Sequence, residues 1–254
     1  MTILSVCGVK GGCGASAITA ALAWHRQEQS KSTLAIDLCP HNLLRLHFGV
    51  PWSDEAGWHA SLLAGRDWTQ AAWRIGGEAL MLMPHGDLPR GTPHAPGLRA
   101  DWLRRELAAL DRPADDMTLL DTPLTEGMGR ELAFAACSHV LAVLPPDPIS
   151  NALAAKLEAE LLERGMDRGR ILFLINQFDP ARRLDRDVEL LLRLMLGSRL
   201  APLPVMWDET MREALAAGLP VAAFAPDSQA VDDLRQLALW LSVRLSETQS
   251  EALC

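Results

Sequence analysis

Tyrosine is absent from the 254 residues, and no stretch rich in Pro, Gly and Ser and no run of charge divides the chain. Without a linker, one domain spanning residues 1–254 is the expectation, and that length suffices for a well-buried core. No apolar run approaches the roughly 18–20 residues of a membrane span. The apolar N-terminus has no basic leader and carries Lys10 among glycines, so it does not read as a signal peptide. The five cysteines (Cys7, Cys13, Cys39, Cys137 and Cys254) are dispersed, with no C-x-x-C pair. Disulfides and a zinc site are thereby disfavoured, and a reducing cytoplasm fits best. Cys254 is the last residue, whereas a prenylation signal needs three residues after its cysteine. A broad cationic face is lacking too. The formal net charge is −8, which disfavours a non-specific nucleic-acid surface built from many Lys/Arg–phosphate contacts.

What is present is an alternation of strand-like and helix-like segments. Apolar runs, most of them containing β-branched residues, fall at 3–7, 33–36, 79–83, 117–120, 140–144, 171–175, 204–207 and 221–224. Helical patterns lie between most of them, at 17–29, 58–64, 98–110, 129–136, 150–164, 185–196, 209–217 and 228–246. Near-continuously apolar strands alternating with helices predict an α/β fold, a mostly parallel doubly wound sheet covered on both faces. Ligands then sit at the carboxyl ends of the strands. Segment 84–96, rich in Pro, Gly and His, reads as a loop. The last helix places Val231, Leu234, Leu237, Ala238, Leu241 and Leu245 on one stripe. Its cations are Arg235 and Arg244 against Asp232, Asp233 and Glu247, so packing on the sheet is favoured over a membrane surface. Eight tryptophans offset the missing tyrosine, and four of them (Trp52, Trp58, Trp68 and Trp73) are clustered. They read as packing anchors, with a partner surface as the alternative.

The chemistry concentrates at Lys10-Gly11-Gly12-Cys13-Gly14-Ala15-Ser16-Ala17. Gly8, Gly11, Gly12 and Gly14 follow an apolar run and precede a helical segment. Strand, glycine loop, helix is the arrangement in which backbone N–H groups and a helix N-terminus cradle phosphate. Ser16 is placed to offer its hydroxyl to a phosphate-bound Mg²⁺. Asp37 ends the run Leu34-Ala35-Ile36, and Asp121 closes Met117-Thr118-Leu119-Leu120, an apolar strand ending in an acid as in a Walker B segment. Any one acid at a strand end is as readily a turn former or helix cap; the three features together point to metal-assisted nucleotide binding. The first forty residues alone also fit a dinucleotide fold. Gly12-Cys13-Gly14-Ala15-Ser16-Ala17 satisfies G-x-G-x-x-A, with Asp37 at the distance of a ribose-binding acid. That alternative leaves Lys10 and the Asp121-Thr122-Pro123 strand end without a role.

These motifs resemble the deviant Walker A loop, K-G-G-x-G-K-[ST], of the MinD/ParA (SIMIBI) class of P-loop NTPases, and the likeness runs over nearly the whole chain. Asp121-Thr122-Pro123 is similar to the D-x-P switch of that class. Ile175-Asn176-Gln177 and Leu203-Pro204-Val205, followed by Asp208, Arg212, Ala214 and Gly218-Leu219-Pro220-Val221, look like its adenine-side strand and helix. Within the class, three stretches resemble the BcsQ (YhjQ) cellulose-biosynthesis family. They are Ile18-Thr19-Ala20-Ala21-Leu22-Ala23-Trp24, Ile36-Asp37-Leu38-Cys39-Pro40-His41-Asn42-Leu43-Leu44-Arg45-Leu46, and Gly57-Trp58 with Asp67-Trp68.

The resemblance implies an ATP and Mg²⁺ site. Lys10, Gly11, Gly12, Cys13, Gly14, Ala15, Ser16, Ala17, Asn176 and Pro204 would meet the nucleotide, and Ser16, Asp37 and Asp121 the metal. It implies a homodimer closed over ATP, with Lys10 reaching the partner's phosphates; a solvated loop lysine is the plain alternative. It further implies a cytoplasmic assembly factor recruited to an inner-membrane cellulose secretion complex, with a small BcsR-type partner and a BcsE-type regulator. Two positions depart from the active class. Ala15 stands where the phosphate-loop lysine belongs, and Cys39 where a second aspartate organises the attacking water. Removing one such group slows a reaction by about 10²–10³, so slow or absent hydrolysis is the expectation. An active partitioning or positioning ATPase is the alternative. No basic neighbour in its segment marks Cys39 as a reactive thiol, and a small core-compatible residue is the simpler reading. An iron–sulfur ATPase is disfavoured, because Cys137 lies sixteen residues beyond Asp121.

Overall fold

The computed structural model describes residues 2–89, 91–113 and 115–251; Cys254 lies outside them, as does Arg90 within the loop expected at 84–96. Seven strands form one sheet: β1 (Thr2–Gly8), β2 (Thr33–Asp37), β3 (Trp73–Ile75), β4 (Leu80–Met83), β5 (Met117–Thr122), β6 (His139–Leu144) and β7 (Ile171–Ile175). Their order is β3-β4-β2-β5-β1-β6-β7. All neighbours are parallel except β3, which runs antiparallel to β4. Successive residues of β1 point to opposite faces, so Ile3 and Cys7 enter one core and Leu4 and Val6 the other.

Helices cover both faces. On one side lie α1 (Ala15–Glu28), α7 (Thr210–Ala217), α8 (Val221–Phe224) and α9 (Gln229–Glu251); on the other lie α2 (Trp58–Leu63), α3 (Trp102–Ala109), α4 (Met128–Ala136), α5 (Pro148–Glu163) and α6 (Arg183–Leu196). The stripe on α9 faces inward: Val231, Leu234, Leu237, Leu241 and Leu245 are all buried, and the helix packs on α1. Packing, not a membrane, thus accounts for the stripe. No helix among the described residues is long and apolar enough to cross a membrane. Trp58 and Trp68 are core residues, each in ring contact with Trp102, whereas Trp52 is exposed over the Arg45 guanidinium.

Three elements differ from the sequence reading. Residues 221–224 form the short helix α8, with Pro220 setting its N-terminus. Residues 204–207 run beside the end of β7 without forming a strand: Val205 N donates to the Ile175 carbonyl and an isolated bridge joins Met206 to Phe178, while Pro202 and Pro204 lack the N–H groups a continuous ladder needs. The edge strand β3 was not expected. Its signal was the Gly76-Gly77 turn between Trp73-Arg74-Ile75 and the apolar β4, a hairpin cue in a segment too short and polar to stand out. Strand β1 sits between β5 and β6; the chain leaves β1 toward β2 on one side of the sheet and leaves its neighbour β5 toward β6 on the other. A crevice therefore opens at the carboxyl end of β1.

Candidate functional site

Residues 9–14 turn from β1 into α1 around a cleft of about 700 Å³. Side chains are excluded from this turn at two points. A Cβ on Gly8 would meet Cys13 Sγ at 2.4 Å, and one on Gly14 would meet Asn176 Nδ2 at 2.4 Å. Gly12 and Gly14 also have φ of 77° and 90°, which L side chains rarely adopt. The residues after β7 brace the loop. Asn176 Nδ2 donates to the Cys13 carbonyl at 2.8 Å, and Gln177 Nε2 to the Gly12 carbonyl at 2.9 Å. No side chain caps α1. The N–H groups of its first turn therefore lack intrahelical partners at the positive end of the helix dipole, where Ala15, Ser16 and Ala17 line the cleft.

Two carboxylates form the floor. Asp37 and Asp121 are register partners on the adjacent strands β2 and β5, so the parallel ladder itself brings them together. Both are buried, but their bonding differs. Asp37 accepts from the backbone N–H of Cys39 at 2.8 Å through Oδ1 and of Leu44 at 3.0 Å through Oδ2. Asp121 Oδ2 is buried with no hydrogen-bond partner. Burial raises the Asp121 carboxyl to about 6, against a lowering contribution from the Ser16 hydroxyl. Burial and the neighbouring Asp121 charge raise Asp37 well above the usual range. One ligand atom each of Asp37, Cys39 and Asp121 lie within 4.8 Å of one another. Burial and both carboxylates push the Cys39 thiol far up, so it carries no thiolate and is a poor partner for a hard cation. An orphaned carboxylate oxygen beside a serine hydroxyl does fit a hard divalent cation with oxygen ligands. Asp121 and Ser16 present groups that could hold it, and Asp37, whose two oxygens each also accept one backbone N–H, stands beside them.

Lys10 does not project freely. Its ammonium donates to Asp147 Oδ2 at 2.6 Å, and Asp147 Oδ1 caps α5 by accepting from Ile149 N at 3.0 Å. Asn176 lines the cleft, whereas Pro204 is buried outside it; Met206, Trp207 and Asp208 occupy that wall instead. Leu43, Leu124, Trp207 and Leu215 form an exposed apolar rim that motif reading did not single out. Only the position of Leu124, immediately after Asp121-Thr122-Pro123, was a usable signal.

The comparisons agree with this geometry. Residues 1–241 match the family described as cellulose biosynthesis protein BcsQ. The cellulose biosynthesis protein BcsQ of Escherichia coli (strain K12) is 32% identical over 255 residues, 97% of this chain and 96% of that one. Among solved structures, the cell division ATPase MinD of Pyrococcus furiosus has a TM-score of 0.77 at 21% identity, covering 95% of this chain and 98% of the other. The septum site-determining protein MinD of Pyrococcus horikoshii, complexed with Mg-ADP, has a TM-score of 0.74 at 20% identity, over 93% and 94%. The glycine loop, the carboxylate pair and the sheet order thus lie on a MinD/ParA P-loop fold, and the chain belongs to the BcsQ cellulose-biosynthesis family.

Proposed function

We propose that this protein binds ATP with Mg²⁺, dimerises over it, and acts as an assembly factor of a cellulose secretion system with slow or no hydrolysis. The observation that carries the reading is the unpartnered Asp121 Oδ2 beneath an uncapped helix N-terminus: a cation site below a phosphate site. The backbone of Gly11, Gly12, Gly14 and Ala15 would cradle phosphate, and Ser16 and Asp121 would hold the ion. When bound, Mg²⁺ supplies charge neutralisation of the phosphates. Ala15 leaves no cation at the first turn of the helix after the loop, and Cys39 no second acid to orient water. Grip on the nucleotide is retained while the groups that drive its cleavage are missing. Exposed Leu43, Leu124, Trp207 and Leu215 around the mouth offer an apolar seam to a second copy.

Family membership supports a place at the inner-membrane cellulose complex, with a BcsR-type and a BcsE-type protein as the partners to test. The rival reading, an active positioning ATPase, requires the two groups that Ala15 and Cys39 replace. Purified protein is to be assayed for retained nucleotide by anion-exchange chromatography and for mass by light scattering. Intact ATP, one per protomer in a dimer, supports the proposal. A monomer with steady turnover of ATP overturns it.

A further inference from the structure

Asn42 and Arg45 are wholly buried, yet neither lines the cleft. Both converge on one acid from the loop after β4. Asn42 Nδ2 donates to Asp87 Oδ1 at 3.2 Å, and Arg45 Nη2 donates to Asp87 Oδ2 at 2.8 Å. Their other polar groups are occupied too, except Arg45 Nε, which is buried without a partner. Asn42 Oδ1 accepts from His85 N at 3.0 Å, and the Arg45 guanidinium donates to the carbonyls of Trp52 and Asp54. The segment so gripped, residues 39–48, is a wall of the site: Cys39, Pro40, His41, Leu43, Leu46 and His47 line the cleft. It also meets the metal corner, because both oxygens of Asp37 accept N–H groups from it. Trp58 Nε1 holds the same corner from behind by donating to the Asp37 carbonyl at 2.9 Å.

We propose that Asp87, acting through Asn42 and Arg45, is a positioning residue that pins residues 39–48 and thereby fixes the orientation of the Asp37 carboxylate and the cleft wall around the corner that would hold Mg²⁺-bound nucleotide. The physical ground is the buried cation. Arg45 is fully enclosed and Asp87 is its ion-pair partner, with a side chain about one-third exposed. Removing that charge leaves a buried guanidinium held only by neutral acceptors, which the segment relieves by opening to water. Asn42 supplies the second hold, in a left-handed conformation (φ 52°) that glycine also adopts. The inference rests on the nucleotide reading above for its ligand, but not for its effect on the loop.

The test uses full-length Asp87→Asn and Asn42→Gly proteins beside the wild type. The first keeps shape and acceptor but loses the charge; the second keeps the backbone but loses the side-chain bonds. Amide hydrogen exchange without ligand is expected to quicken in residues 39–48 and to stay unchanged in β1 and α9. Affinity for a fluorescent ATP analogue is expected to fall about 10–100-fold in Mg²⁺ and by less than about threefold in EDTA, as when the support of a metal site is cut. Equal losses in Mg²⁺ and EDTA would reduce the pin to a structural prop and overturn the proposal. So would wild-type exchange in residues 39–48, or an undiminished gain from Mg²⁺. Should the wild type bind no analogue, the nucleotide reading falls, and unchanged or quickened exchange in the variants decides the pin by itself.

Discussion

The Lys10 ammonium donates to Asp147 Oδ2 at 2.6 Å, so the lysine of the glycine loop is held by its own chain. Both side chains are a little over one-third exposed, and an ion pair at such exposure contributes about 0–1 kcal/mol. That hold is weak enough to exchange for a phosphate on a second copy. Asp147→Asn keeps the cap on α5, because Asn and Asp cap alike, and it releases the lysine. The melting temperature is expected to change by no more than about 4 °C for a chain of this size. Nucleotide-dependent dimerisation, followed by sedimentation velocity, is expected to tighten in Asp147→Asn and to weaken in Lys10→Ala. Unchanged dimerisation in both variants removes Lys10 from the interface.

The proposed limit on hydrolysis rests on two positions rather than one. Ala15 lines the cleft at the first turn of α1, and Cys39 stands beside both floor carboxylates. Ala15→Lys alone restores a phosphate clamp but leaves attacking water without an acid to orient it. The single variant is expected to stay within about tenfold of the wild type in phosphate release, whereas Ala15→Lys with Cys39→Asp is expected to gain about 10²-fold or more. A large gain from the single variant would show that water is positioned by something other than residue 39.

How much of this was legible in sequence depended on whether a feature is local. The glycine loop, Ser16, Asp37 and Asp121 announce themselves because phosphate and metal chemistry fixes residue type next to a strand end. Their convergence follows from the parallel register that pairs Asp37 with Asp121, which alternation of strands and helices predicts. Asp87 gave no signal. It lies in a Pro- and Gly-rich loop, and its meaning arises only from Asn42 and Arg45, more than forty residues earlier in the chain. Residues 221–224 misled for the opposite reason. Four apolar residues satisfy either period, and Pro220 at the N-terminus goes with the helix.

Asp121 makes stability depend on pH in the metal-free protein. Its carboxyl is raised to about 6 in the folded state, so between the unfolded value near 4 and about 6 the folded state binds more protons. Stability then falls as pH rises through that window, and the loss is complete above it. Partly buried His47 and buried His59 and His139, each lowered to about 4 by desolvation, act in the opposite sense. The measurement is therefore the difference between Asp121→Asn and wild type in EDTA. The variant's melting temperature is expected to gain on the wild type from pH 5 to pH 7.5, and Mg²⁺ with nucleotide is expected to shrink that gap by stabilising only the wild type. A gap independent of pH would mean that Asp121 is not the group that burial penalises.

Gly14 connects the loop to the residues after β7. A Cβ there meets Asn176 Nδ2 at 2.4 Å, and the backbone sits at φ 90°. Gly14→Ala thus meets two separate costs, a left-handed backbone of about 1–3 kcal/mol and a collision with the amide that braces the Cys13 carbonyl. Only the second can be relieved from the other side. Asn176→Ala removes the collision together with the brace, so the double variant is expected to be more stable than the sum of the two single losses, a coupling readable in a urea-denaturation cycle. Nucleotide affinity is expected to fall in all three, since each either displaces the loop or leaves it unbraced. Additive losses would mean that the loop shifts away from Asn176 at no cost, and that the brace does not set its shape.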